Sequence, residues 1–289
     1  LIVPHAGYPY SGPIAATAYA CLASHADHIS RVVLIGPAHR VAVRGLATPG
    51  ADRFATPLGE VPLDTTALAA LEALPHVNRN ALAHAEEHAL EVQLPFLQRV
   101  LHDFSLVPLL VGDATVEEVA QALDRVWGGE ETLIVVSSDL SHYLPYAEAR
   151  RTDAATLEAI LSRTSVLHGA QACGATPING LLQVALRRGL APQLLDARNS
   201  GDTAGDRARV VGYAAVAFRE PDRGQPLLQV AREAIEDQLQ PEASPAAHSR
   251  WHSDSRPPPP RSRYQRRHLK TAISGSSSWP VPRWPTATR

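Results

Sequence analysis

Residues 1–12 read LIVPHAGYPYSG. A short apolar run ends in His5, small and turn-forming residues follow, and a helical pattern then begins. The arrangement returns twice. Residues 31–39 (RVVLIGPAH) end in His39, and residues 132–142 (TLIVVSSDLSH) carry Asp139 and end in His142. Near-continuous apolar runs of this length read as strands buried on both faces, as in α/β proteins. In open α/β sheets the ligand crevice lies beyond the carboxyl ends of the strands. His5, His39 and His142 therefore stand where such a fold places its chemistry.

Working outward, residues 1–4 read as a strand and residues 12–25 as a helix started by Ser11, Gly12 and Pro13. Residues 40–62 are rich in Gly, Pro and Thr, a long loop or short-stranded excursion. Asp64 can cap a helix running to Leu74. Residues 86–101 are apolar at 90, 94, 97 and 101, a helical stripe that Pro95 should kink. A strand over 104–111, a helix capped by Thr115 and running to Trp127, and a strand over 132–137 follow. Helices over 147–161 and from Thr176 and Pro177 to Arg188 come next, then late strands at 193–195 and 210–218. The alternation gives an α/β fold over residues 1–220, a layered sheet with flanking helices.

Hydrophobic residues make up 45% of the 289 and charged residues 19%, enough for a packed core. The net charge of −2 hides a split. From residue 241 nine Arg and Lys face two acids, which leaves 18 basic and 27 acidic residues in the body. An acidic body argues against nucleic acid as a partner. Two cysteines are too few for a disulfide framework. With no membrane-spanning stretch and no signal peptide, the expected location is cytoplasmic. The chain lacks Met and opens inside a strand, which implies a missing N-terminal element. Residues 227–239 read as an amphipathic helix, and residues 241–289, rich in Pro, Arg and Ser, as a disordered tail. A basic or proline-rich docking tail is the functional alternative.

Cys173 lies in QACGATP (171–177), just before a helix N-terminus, where a thiolate is favoured as nucleophile or metal ligand. Alone it would read as a small buried hydrophobe, as Cys21 does on an apolar helix face. With His5 and His39 it makes a three-ligand metal site, suited to iron, copper or zinc, that leaves a coordination position open. His142 can act as general acid/base, and Asp139 can orient it or bind a cation. Tyr8 and Tyr143 can add phenolic hydrogen bonds, the bland reading of both being packing. Residues 84–88 (HAEEH) match the inverted zinc-peptidase pattern, with His84 and His88 on one helical face. The third ligand that pattern needs is not evident. Residues 199–202 (NSGD) form a turn at the site rim.

Together PHAGYPYSG (4–12), GPAH (36–39), EHALEVQLPFL (87–97), SSDLSHY (137–143), Ala172-Cys173-Gly174, NSGD (199–202) and VGYAAVAF (211–218) resemble the Memo family, also called AmmeMemoRadiSam system protein B. The resemblance covers about residues 1–220, in order. It implies a fold similar to the LigB-type class III extradiol dioxygenases, with His5, His39 and Cys173 as metal positions. His142 then matches the acid/base beside the metal, and Asp139 shares that pocket. The cysteine departs from the dioxygenase pattern, where a carboxylate completes the iron triad. A thiolate also favours copper. The implied function is dioxygenase-like oxidoreductase chemistry with Fe(II) or copper, zinc being less favoured, on an unknown small-molecule or peptide ligand. The alternative is a non-enzymatic module that binds a peptide or phospholigand. Residues 224–239 resemble the opening of an AMMECR1-like domain, which implies a functional link to AMMECR1-like and radical-SAM proteins. That resemblance stops near Pro241, so the tail is expected to be a frameshift product or a degraded fusion.

Overall fold

The structure is a computed structural model and describes residues 1–163 and 167–220. The expected helix at 227–239 and the tail lie outside the described residues. Each apolar run becomes a strand. β1 (Ile2–Val3) leads into α1 (Tyr8–Ala20), and β2 (Arg31–Pro37) follows. The Gly/Pro/Thr-rich excursion holds β3 (Leu46–Thr48) and a hairpin of β4 (Arg53–Thr56) and β5 (Gly59–Pro62). α2 (Thr65–Glu72) is capped by Asp64, which accepts from the Ala67 amide. β6 (Val77–Arg79), α3 (Ala81–Ala85), α4 (His88–Glu91) and α5 (Leu94–Val100) come next. Then follow β7 (Ser105–Val111), α6 (Val116–Val126) with a Thr115/Glu118 capping box, and β8 (Thr132–Ser137). The described part closes with β9 (His142–Leu144), α7 (Tyr146–Ser162), α8 (Ala175–Arg187), β10 (Ala191–Asn199), α9 (Ser200–Thr203) and β11 (Val210–Arg219).

The main sheet runs β10-β11-β1-β8-β2-β7-β3-β6, with β9 paired to β11. Its centre, β1, β8, β2 and β7, is parallel. Residues 32–37 of β2 and 106–111 of β7 are buried throughout, so helices cover both faces of this centre. β11 joins β1 antiparallel, and β3 joins β7 antiparallel, so the sheet is mixed. No helix among the described residues is long and apolar enough to cross a membrane.

Four expectations change in detail. The first helix runs Tyr8–Ala20 from an N-cap at Gly7, with Pro13 inside it, rather than over 12–25 from a start at 11–13. The stripe over 86–101 is broken rather than kinked. Pro95 sits in the first turn of a new helix, α5, where its missing N–H costs nothing. The strand expected at 193–195 is nine residues long and carries a bulge between Leu194 and Asp196. It has weak strand propensity of its own and lies at the sheet edge, where Pro192 is tolerated. NSGD (199–202) is a one-turn helix, its Asn199 and Asp202 side chains closing a capping box, rather than a bare turn.

Candidate metal centre

The carboxyl ends of β1, β2 and β8 deliver His5, His39 and the Ser137-Ser138-Asp139 corner to one place. His5 is buried, and its Nε2 lies 3.3 Å from Cys173 Sγ. Its Nδ1 meets Ser137 Oγ at 3.0 Å. That hydroxyl spends its proton on the Ala89 carbonyl, 2.6 Å away, and also accepts from Gln93 Nε2 at 2.8 Å. The Ser137 oxygen can then only accept from His5, so Nδ1 carries a proton and Nε2 is the nitrogen turned toward Cys173.

His39 is held in the same sense. Its Nδ1 donates to Glu87 Oε1 at 2.9 Å, and its amide donates to Glu87 Oε2 at 2.5 Å. His88, the first residue of α4, brings Nδ1 to 3.4 Å from the same Oε1. The His5, His39 and His88 ring centroids are 5.3–5.6 Å apart, and one ligand nitrogen from each lies within 4.8 Å of the others. Sequence reasoning missed His88 as a partner of His5 and His39. Its signal was the acid before it: Glu87 is the N-cap of α4, accepting from Ala89 N.

Cys173 sits one residue before the N-cap of α8. Burial pushes its thiol up, but hydrogen bonds from His39 and His5 outweigh this and bring it down to about 6, so it is a thiolate at neutral pH. The same Cys173 contact, then Glu87, raises His39 to about 10. Burial also pushes Glu87 up, yet the bonds from His39 and Ala89 hold it at about 2. Asp139 backs the site. Its Oδ1 accepts from the His5 and Ala6 amides at 2.8 and 3.2 Å, and its own amide points at Cys173 Sγ, 3.3 Å away. Burial raises its carboxyl to about 6, against these amides and the nearby His142. His142 opens β9 half-buried, with Nδ1 donating to the Leu140 carbonyl at 2.8 Å, so its Nε2 is the nitrogen free to exchange a proton.

The other candidates stand apart. Tyr8 does not serve the histidines: its hydroxyl donates to the Val92 carbonyl at 3.2 Å. Tyr143 packs edge-on to His142 at 5.8 Å but is 61% exposed, under the Arg209 guanidinium. Cys21 donates to Ala18 O at 2.8 Å, a structural role. The HAEEH reading fails. His84 lies in the last turn of α3, His88 begins α4, and the His84 Nε2 proton goes to the Ala47 carbonyl at 3.0 Å. The two do not share a helical face. Of the NSGD loop, Asn199 and Asp202 instead line a separate cavity of about 160 Å³ with Tyr146, Arg150, Asp153 and Tyr213.

Two imidazoles with Nδ1 protons committed outward, a third beside them and a thiolate form a donor set that fits a soft or borderline metal such as iron, copper or zinc. The comparisons agree with the sequence motifs. A MEMO1 family protein of Aeropyrum pernix is 40% identical over 231 residues, covering 74% of this chain and 81% of that protein. One from Archaeoglobus fulgidus is 37% identical over 236 residues, covering 75% and 85%. Among solved structures, the uncharacterized protein JW3007 from Escherichia coli K12 matches with TM-score 0.44 and 14% identity, over 68% of this chain and 91% of that one. That likeness is too slight to bear on the fold. The model of the Memo-like protein family matches residues 1–217. The chain belongs to the Memo-like family.

Proposed function

We propose that the cluster is a mononuclear redox-metal centre holding iron or copper, and that the chain is a metal-dependent oxidoreductase acting on a small-molecule or peptide ligand in the cytoplasm. The observation that carries this is the convergence of three imidazole nitrogens within 4.8 Å of one another, beside a thiolate 3.3 Å from one of them. His5 and His39 would hold the metal through Nε2, with Cys173 as the anionic donor. When bound, the metal would supply redox and Lewis-acid chemistry at an open coordination position.

The chain's own residues do the rest. Ser137 and Glu87 hold the His5 and His39 Nδ1 protons, which keeps both Nε2 atoms turned inward. His142 Nε2 takes or gives a proton, while its Nδ1 stays locked on Leu140 O. The Asp139 carboxylate, within electrostatic reach of His142, stabilises the imidazolium that forms.

The test is metal content of the full chain purified without oxygen, beside a His5→Ala, Cys173→Ser double variant. Near-stoichiometric iron or copper in the native chain, absent from the variant, is expected. No metal in either, with the fold intact, overturns the reading and leaves the non-enzymatic binding module.

A further inference from the structure

Among the described residues, two that are not glycine adopt a left-handed backbone, Tyr143 at φ 59° and Arg163 at φ 53°. Arg163 follows α7, where that conformation closes the last turn of a helix. Tyr143 has no helix to close. It is the extra residue of a β-bulge: Val210 pairs with Leu144 and Val211 with His142, so Tyr143 faces no partner on β11. A left-handed bulge residue is ordinarily glycine. A bulky side chain rarely takes such a φ, and the surrounding structure has to hold it there. What a bulge gives in return is a re-aimed side chain. Here it sets out a tyrosine that is 61% exposed. The ring meets His142 edge-on at 5.8 Å, and the Arg209 guanidinium lies over it, 5.0 Å from its centroid.

Arg209 is exposed, and no carboxylate pairs with it among the described residues. The acids nearest in sequence are committed elsewhere. Asp202 accepts from the Tyr146 hydroxyl and the Asn199 amide, and Asp206 from the Ala208 amide. Stacking on the phenol fixes the plane of the guanidinium and leaves its N–H edge open. Such a fork of donors matches a planar carboxylate. Arg207, two residues away, lies on Tyr146 and pairs with Asp202. A single guanidinium is therefore on offer, which suits the single charge of a carboxylate better than a phosphate dianion.

We propose that Tyr143 and Arg209 form a carboxylate clamp at the mouth of the site: the bulge holds the Tyr143 ring out as a plate, Arg209 lies on it, and the guanidinium takes the carboxylate of a small organic acid. The substrate class is then a carboxylic acid, held by its acid group beside His142. That last step rests on the metal-centre reading above.

The experiment uses the full chain labelled with 3-fluorotyrosine, and benzoate as the probe. The Tyr143 fluorine line is assigned by its loss in Tyr143→Phe. Benzoate is expected to shift that line saturably in the metal-free chain, and benzyl alcohol, the uncharged counterpart, to leave it in place. Arg209→Gln should weaken benzoate binding about 10-fold or more, the loss of a charge-assisted contact. Arg209→Lys, which keeps the charge without the fork, should recover only part. Tyr143→Asn tests the strain. Asparagine accepts a left-handed φ, so its Tm is expected at or above native while benzoate binding, read by calorimetry, falls. In the Co(II)-loaded chain the ring protons of bound benzoate should broaden, and in the Zn(II)-loaded chain they should not. No saturable binding of benzoate overturns the proposal, as does binding undiminished in Arg209→Gln or Tyr143→Asn, or binding of inorganic phosphate in its place. A Tyr143→Asn chain that fails to fold makes the residue structural and overturns it too. Benzoate unbroadened by bound Co(II) removes the clamp from the mouth of the site. A chain that takes up no Co(II) sinks the metal-centre reading alone, and the metal-free measurements still decide the clamp.

Discussion

Cys173 and Gln93 show how single residues set the centre. A thiol held near 6 by two imidazoles should alkylate quickly wherever it is ionised. Iodoacetamide modification of the metal-free chain is therefore expected to stay fast from pH 8 down to about 6 and to slow below it, and to vanish in Cys173→Ser. A rate that already falls below pH 8, as for an ordinary thiol, would show that the imidazoles do not perturb it. The same variant separates the donors: loss of metal makes the thiolate a ligand, whereas unchanged content leaves the three imidazoles as the set. Gln93 was invisible in the sequence because it lies inside an apolar stripe. It is fully buried and donates to both Pro4 O and Ser137 Oγ, while its Oε1 accepts from Tyr19. Gln93→Leu strands those partners, and its cost should be about 1–3 kcal/mol in urea unfolding. His5, His39 and Cys173 were legible from strand-end and helix-start positions. His88 was not, because HAEEH paired it in sequence with His84, and only a break between two short helices parts them.

At the level of elements, the long apolar strands declared themselves, and β6, β9 and α9 did not. Each spans only three or four residues: β6 and β9 owe their form to pairing with distant strands, and α9 to the capping box of its own Asn199 and Asp202. α8 matters most for the site because its start carries Cys173. A Cβ on Gly174 would come within 2.6 Å of Ser138 Cβ. Only glycine lets the helix start approach the β8 corner so closely. Gly174→Ala is expected to push Cys173 away from His5, weakening metal binding at least 10-fold while far-UV circular dichroism stays native. Metal affinity within 2-fold of native would refute the close-approach argument. α7 carries a different load. Asp153 accepts from the Ser141 amide at 3.0 Å, and burial lifts its carboxyl to about 6. A carboxyl raised on folding favours the native state when protonated. Its contribution is full below its ordinary value near 3.8 and is lost as pH rises to about 6. Asp153→Asn should gain on the native chain between pH 4 and 7, by at most about 3 kcal/mol. A stability difference that does not change with pH would sink this.

For the whole molecule, the proposed donors come from both the early and late parts of the chain, so a metal held by them would link occupancy to folding. A metal that binds only the native state adds about 2.7 kcal/mol at a free concentration of 100 Kd. For a chain of this size that is a rise of roughly 5–10 °C in Tm. Differential scanning calorimetry of the native chain with and without the metal should show this rise, and His5→Ala should abolish it. An equal rise in His5→Ala would place the metal elsewhere. The thiolate contact that completes the cluster spans 168 residues of chain. Translation at about 5–20 residues per second puts Cys173 roughly 8–34 s behind His5 as the polypeptide is made. β8, which lies between β1 and β2, is also made in that interval, so only the last part of the interval finds the imidazoles assembled without the sulfur. A redox ion captured then would meet an all-nitrogen pocket with a different potential and selectivity. Were the site to take such an ion, the last-made donor would be the one to decide which ion stays.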